Sequence, residues 1–133
     1  MKGIADTGFL VAFANRNDDF HDWAVEIAAQ VAEPLLTCEA VLAETAYRLQ
    51  NVSLVIAMLR EGLIALAFDC RANMEHIAAL AARYADRRPD LADLCLIRMS
   101  ELHPRHRVIT TDKDDFTVYR RNKRERIPLV TPA

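Results

Sequence analysis

Five short apolar runs, the first four each followed by a stretch of helical pattern, constrain this chain more than any other feature. The runs are Gly3-Ile4-Ala5, residues 35–38 (LLTC), 63–68 (LIALAF), 107–110 (RVIT) and 128–130 (PLV). Runs this short, bounded by turn residues, read as strands covered on both faces, and 63–68 is expected to be buried throughout. Residues 8–14 continue the first run as a short helix. A second helix is expected from an Asn17 or Asp18 N-cap to about Ala32, because Phe20, Trp23, Ile27 and Val31 recur at helical spacing. Residues 39–50 are strong helix formers with Leu42, Ala46 and Leu49 on one face. The next helix, 53–62, stops at Gly62 as a C′ glycine, and helices over 73–85 and 90–102 flank Pro89. A loop and a short helix fill 111–121, and the basic run at 120–126 reads as a solvated helix end.

Strands alternating with single or paired helices define an α/β chain with a mainly parallel sheet. Its 133 residues make one domain, 1–133, and an apolar fraction of 52% is enough to fill one core. No run approaches the length of a membrane span, and Asp6 interrupts the first one before a secretory signal can form. Cys38, Cys70 and Cys95 are odd in number and widely spaced, which points to reduced core thiols and a cytoplasmic location.

Asp6-Thr7-Gly8 is the tripeptide that aspartic proteases carry at their catalytic aspartate. Such proteases are built from strands and tight turns, whereas this chain has only three glycines and many helical patterns. The protease reading is therefore excluded. In a parallel sheet, ligands bind beyond the carboxyl ends of the strands, where Asp6 and Asp112 both fall.

Further acids qualify for the same edge. Glu44 lies on the helix of 39–50, where an ion pair with Arg48 at i+4 is the simpler reading. Asp90 is a natural N-cap, and Asp93 three residues on favours the helix dipole or caps in turn. Four acids at one edge would repel by several kcal/mol unless cations neutralise them. Carboxylates without His or Cys partners favour Mg²⁺ or Mn²⁺ over zinc, and such ions promote displacement at a phosphodiester. The net charge of −2 hides an asymmetry. From His103 onward there are eight basic residues against four acids, which suits a polyanionic partner.

Taken in order, Asp6 in IADTGFLVAF, Glu44 in VLAETAYRL, Asp93 in PDLADLCLIRMSE and Asp112 in ITTDKDDF resemble the acidic set of the PIN-domain nucleases. The likeness is to the toxin halves of bacterial VapBC-type toxin–antitoxin pairs and runs from Met1 to about Val130. It implies a three-layer α/β/α sandwich with four or five strands. It also implies a Mg²⁺- or Mn²⁺-dependent endoribonuclease, leaving 5′-phosphate and 3′-hydroxyl ends, and a small antitoxin partner. A homodimer is also expected, with Trp23 and its apolar neighbours in the core or the dimer interface. Asp6, Glu44, Asp93 and Asp112 match the catalytic and metal-binding quartet, and Asp115 matches an additional metal ligand. Thr7 and Thr110 match supporting hydroxyls. The chain departs from the pattern at Leu94, which stands where many relatives have Ala and is expected to narrow the pocket. Arg120, Arg121, Lys123 and Arg124 are candidate RNA contacts. An RNA-binding or regulatory PIN-like module without catalysis is the alternative function.

Overall fold

The computed structural model describes residues 1–133. Five strands form one sheet: β1 (Gly3–Ala5), β2 (Leu35–Thr37), β3 (Ile64–Leu66), β4 (Arg107–Ile109) and, near the C-terminus, Leu129–Val130. Their order is β3-β2-β1-β4 followed by the C-terminal strand, and every neighbouring pair is parallel. Helices flank this sheet in the expected three-layer α/β arrangement. They are α1 (Thr7–Ala14), α2 (His21–Ala29), α3 (Glu39–Leu49), α4 (Val52–Arg60), α5 (Met74–Arg83), α6 (Leu91–Leu102) and α7 (Lys113–Val118). No helix is long and apolar enough to cross a membrane.

The core forms where apolar strand residues meet the two most deeply buried helices, α1 and α6. Ile4, Leu35, Ile64, Val108 and Ile109 are at most 1% exposed, and Phe9 and Leu10 of α1 and Leu96 and Ile97 of α6 pack with them. Gly3 is demanded by packing, since a Cβ there would lie 2.5 Å from Ile109 Cδ1 and 2.8 Å from Leu35 Cδ2. Trp23 packs edge-on against Phe9, with ring centroids 5.9 Å apart. All three cysteines are free thiols, with Cys38 and Cys95 buried.

Four local expectations are corrected. The helix expected from Asn17 or Asp18 begins at His21 and ends at Ala29. Asn15 Oδ1 and Asp18 Oδ1 accept instead from the Asn17 and Phe20 N–H groups, which spends both side chains on preceding turns. Strand β3 is an edge strand, so only Ile64 is buried while Leu66 stands 48% exposed. Leu94 points into the core at 5% exposure and does not line the acidic cleft.

The fourth correction is the basic run. It forms an antiparallel hairpin of β5 (Arg120–Arg121) and β6 (Glu125–Arg126), which makes the C-terminal strand β7. Asn122 and Lys123 supply the turn at φ of 49° and 71°. The turn carries no glycine, and tertiary contacts hold it. Arg121 donates to the Ser100 carbonyl at 2.9 Å, the Pro104 carbonyl at 3.2 Å and Glu125 Oε1 at 2.6 Å, while the Asn122 N–H donates to Glu101 Oε2. Arg121 is only 5% exposed, so its guanidinium is withdrawn from any RNA surface. Arg120 donates to the carbonyls of Thr117, Val118 and Tyr119. Arg121→Ala is expected to cost about 2 kcal/mol, because it leaves buried carbonyls without donors. Glu125 is half exposed, so its ion pair adds little. Urea unfolding of the variant measures the loss.

Candidate metal centre at the sheet switch point

The chain runs outward from β1 to β2 and β3, then returns to place β4 on the other side of β1. The crevice beyond β1 and β4 is the switch point at which parallel sheets bind ligands. Asp6 follows β1 directly and caps α1, while Thr110 and Asp112 follow β4. A cleft of about 230 Å³ opens there with no hydrophobic lining residue. Asp6, Glu44, Asp90, Asp93, Asp112 and Asp115 line it, with Thr7, Gly8, Thr111 and three arginines. All four acids of the expected quartet, and Asp115, thus come to one cleft.

Hydrogen bonds hold Asp6, Asp93 and Asp112 in place. Asp6 is 7% exposed, its Oδ1 accepts from the Thr7 N–H at 2.7 Å, and its Oδ2 accepts from the Thr110 hydroxyl at 2.6 Å. The Asp6 N–H donates to the Ile109 carbonyl, which ties the turn to β4. Thr110 Oγ1 also accepts from the Asp112 N–H, so one hydroxyl links the two strand ends. Asp112 Oδ1 accepts from the Asp115 N–H at 3.1 Å as the N-cap of α7. Asp93 lies in the first turn of α6, where Asp90 Oδ1 accepts from its N–H, and Tyr119 donates its hydroxyl to Asp93 Oδ2 at 3.0 Å.

Crowding of carboxylates away from water has its expected electrostatic result. Burial pushes Asp6 up to about 6 against the lowering effect of its Thr110 and Thr7 hydrogen bonds, and the charges of Glu44 and Asp112 add to the rise. Burial also raises Asp93 to about 8, assisted by Asp90 and Asp6, and it raises Asp112. Burial and the Asp93 charge raise the Tyr119 phenol, which therefore remains a donor.

These residues fit a hard divalent cation. One carboxylate oxygen each from Asp93, Asp112 and Asp115 lies within 4.8 Å of the others, and no nitrogen or sulfur ligand intrudes. Asp6 and Glu44 line the same cleft outside that trio. Thr7 lines the cleft too, and its Oγ1 is buried without any partner, an unmet polar group beside the acids. The simple ion pair between Glu44 and Arg48 does not form. Asp115 pairs instead with Arg87 at 2.7 Å.

Sequence reading missed Arg87, Arg88 and Tyr119 as site residues. The doubled arginine just before the Pro-Asp cap signal was visible, but only the fold brings it to the cleft mouth. Gly8, in the first turn of α1, is required by close packing. A Cβ there would collide with Thr111 Oγ1 and stand 3.3 Å from Thr111 Cβ. Gly8→Ala is expected to displace Thr111 and the adjoining Asp112, costing about 1–3 kcal/mol. Thermal melting and Mn²⁺ titration together check it: both stability and ion affinity should fall.

The PIN domain family model matches residues 4–122, and the chain belongs to the PIN-domain family. Among solved structures it is similar to VapC20 of Mycobacterium tuberculosis, described as a toxin that cleaves the sarcin–ricin loop. That match has a TM-score of 0.70 and 19% identity, and it covers 84% of this chain and 90% of the toxin. No curated protein sequence matches.

Proposed function

We propose that this chain is a Mg²⁺- or Mn²⁺-dependent endoribonuclease that hydrolyses RNA phosphodiester bonds, the toxin of a toxin–antitoxin pair. The observation that carries the reading is the set of clustered carboxylates at the β1/β4 switch point, beside the unpartnered Thr7 hydroxyl. Family membership supports a nuclease. The similar VapC20, a sarcin–ricin loop-cleaving toxin, supports RNA as the substrate class and a small antitoxin as partner. A homodimer and a cytoplasmic location are part of the same proposal.

Asp93, Asp112 and Asp115 would hold the ion, with Asp6 and Glu44 completing the acidic wall. When bound, a divalent cation neutralises phosphate charge and supplies an acidified water for attack in line with the leaving oxygen. The protein's part is to hold its groups still beforehand. Thr110 and the Thr7 N–H fix both oxygens of Asp6, Tyr119 fixes Asp93, and the α7 cap fixes Asp112. Groups ordered in advance need no reorganisation as the reaction proceeds, and this preorganisation is a main source of rate enhancement.

The purified chain should cleave a panel of structured RNAs with Mg²⁺ or Mn²⁺, stop with EDTA, and leave 5′-phosphate and 3′-hydroxyl ends. Intact RNA across that panel with either ion overturns the reading.

A further inference from the structure

Three arginines stand among the six carboxylates of the cleft: Arg48 on α3, and Arg87 and Arg88 on the connection between α5 and α6. Arginines placed merely to quiet the acids would pair with them, yet only Arg87 does so. The guanidinium groups of Arg48 and Arg88 have no ion-pair partner although acids line the same cleft. Arg88 also occupies the left-handed backbone region at φ 50°, directly before Pro89, a conformation unfavourable for a non-glycine residue. That strain closes the turn after residues 85–87 and sets Arg88 at the mouth, one residue from Pro89 and two from the Asp90 cap. Opposite it on α3, Arg48 has Tyr47 beside it, 76% exposed. Both lie on the helix face of Glu44, at three and four residues' spacing.

An acidic floor under a rim of unpaired arginines suits a ligand that brings its own negative charge and reaches the floor through a cation. Arginine recognises phosphate oxygens by paired hydrogen bonds, and an exposed aromatic ring stacks unpaired bases. The basic hairpin is the weaker candidate, since Arg120 and Arg121 spend their donors inside the protein.

The geometry points to Arg48 and Arg88, with Arg87 beside them, as the phosphate-binding rim for RNA on the two sides of the bond to be cleaved, with Tyr47 as a stacking platform for a neighbouring base. This assignment rests on the ribonuclease reading above. Arg48 and Arg88 are its free cations, and Arg87 reaches phosphate on release from Asp115.

The test measures affinity for a labelled single-stranded oligoribonucleotide and a labelled RNA hairpin against salt concentration. It uses the full chain carrying Asp6→Asn, with Mg²⁺ present. Arg48→Gln and Arg88→Gln, each added singly, should weaken binding to both RNAs alike and reduce the slope of log affinity against log salt by about 0.7–0.9. Tyr47→Ala should weaken binding about tenfold with the slope unchanged. Mn²⁺ affinity of Arg48→Gln should equal or exceed the parent's, since a cation near the acids is lost, whereas a loss of Mn²⁺ affinity would place Arg48 in the floor. Parent slopes and affinities in both arginine variants overturn the rim, as does a loss confined to Lys123→Gln/Arg124→Gln. If those arginine variants, with Asp6 restored, also cleave RNA at the parent rate, the rim alone has failed. If the Asp6-containing parent neither binds nor cleaves RNA, both readings fail.

Discussion

Asp6→Asn is expected to abolish RNA cleavage, by a factor on the order of 10³ or more, while the chain stays folded. The substitution keeps the shape of the side chain and removes one charge from the most buried acid of the cleft. Its amide oxygen can still accept from the Thr7 N–H. Its NH₂ group can donate to Thr110 Oγ1, which has the lone pairs to accept it together with the Asp112 N–H. Burial has already pushed the Asp6 carboxyl to about 6, so its charged form at neutral pH is one the fold tolerates at a cost. Without divalent cation the variant should therefore melt several degrees above the parent, a gain on the order of 2–3 kcal/mol. A purely structural Asp6 predicts the reverse pairing, with stability lost and cleavage retained. Circular dichroism melting in EDTA and a cleavage assay with Mn²⁺ read the two quantities on the same sample. Cleavage at the parent rate would remove Asp6 from the centre.

Stability of the metal-free protein should fall as pH rises, which is the second large effect. Asp6 and Asp93 bind their protons more tightly folded than unfolded, with folded values of about 6 and about 8 against 3.8. The folded state thus holds more protons than the unfolded one between about pH 4 and pH 8, and stability declines through that window. From pH 5 to pH 8 the loss attributable to the pair is at most about 5 kcal/mol, and solvent screening of the partly exposed Asp93 reduces it to about 3 kcal/mol, or about 10 °C of melting temperature. Subtracting the profile of Asp6→Asn isolates the share of that acid from the other titrating groups. Mg²⁺ or Mn²⁺ should reverse the decline and release protons on binding, so its stabilisation should be larger at pH 8 than at pH 5.5. A flat difference profile, or equal stabilisation by Mn²⁺ at both pH values, would show that these acids do not form the binding site.

Both effects arise from acids that were visible in the sequence, and the reason lies in the architecture. A short strand inside a parallel sheet is mostly apolar, and the polar residue just after it falls at the carboxyl edge. Asp6 after Gly3–Ala5 and Thr110–Asp112 after Arg107–Ile109 announce themselves in this way. Glu44 and Asp93 sit on helices, and their helical faces could be read, but the ion pair expected between Glu44 and Arg48 could not be judged. The cleft holds both partners apart. The hairpin at 120–126 was misread because its turn has neither Asn-Gly nor Asp-Gly. Glu101, Ser100 and Pro104, all from the α6 end of the chain, hold it in place.

The sequence by itself determined the fold class, the family and the identity of the acids, because apolar periodicity and strand-end polarity are local properties of the chain. The tertiary structure alone decided what surrounds those acids. Strand order brought the ends of β1 and β4 together, and Thr110 bridges them. Burial raised the Asp6 and Asp93 carboxyls, and the α5–α6 connection carried Arg88 to the mouth. Desolvation, hydrogen bonding and charge proximity depend on distances between residues far apart in the chain, so no local pattern encodes them.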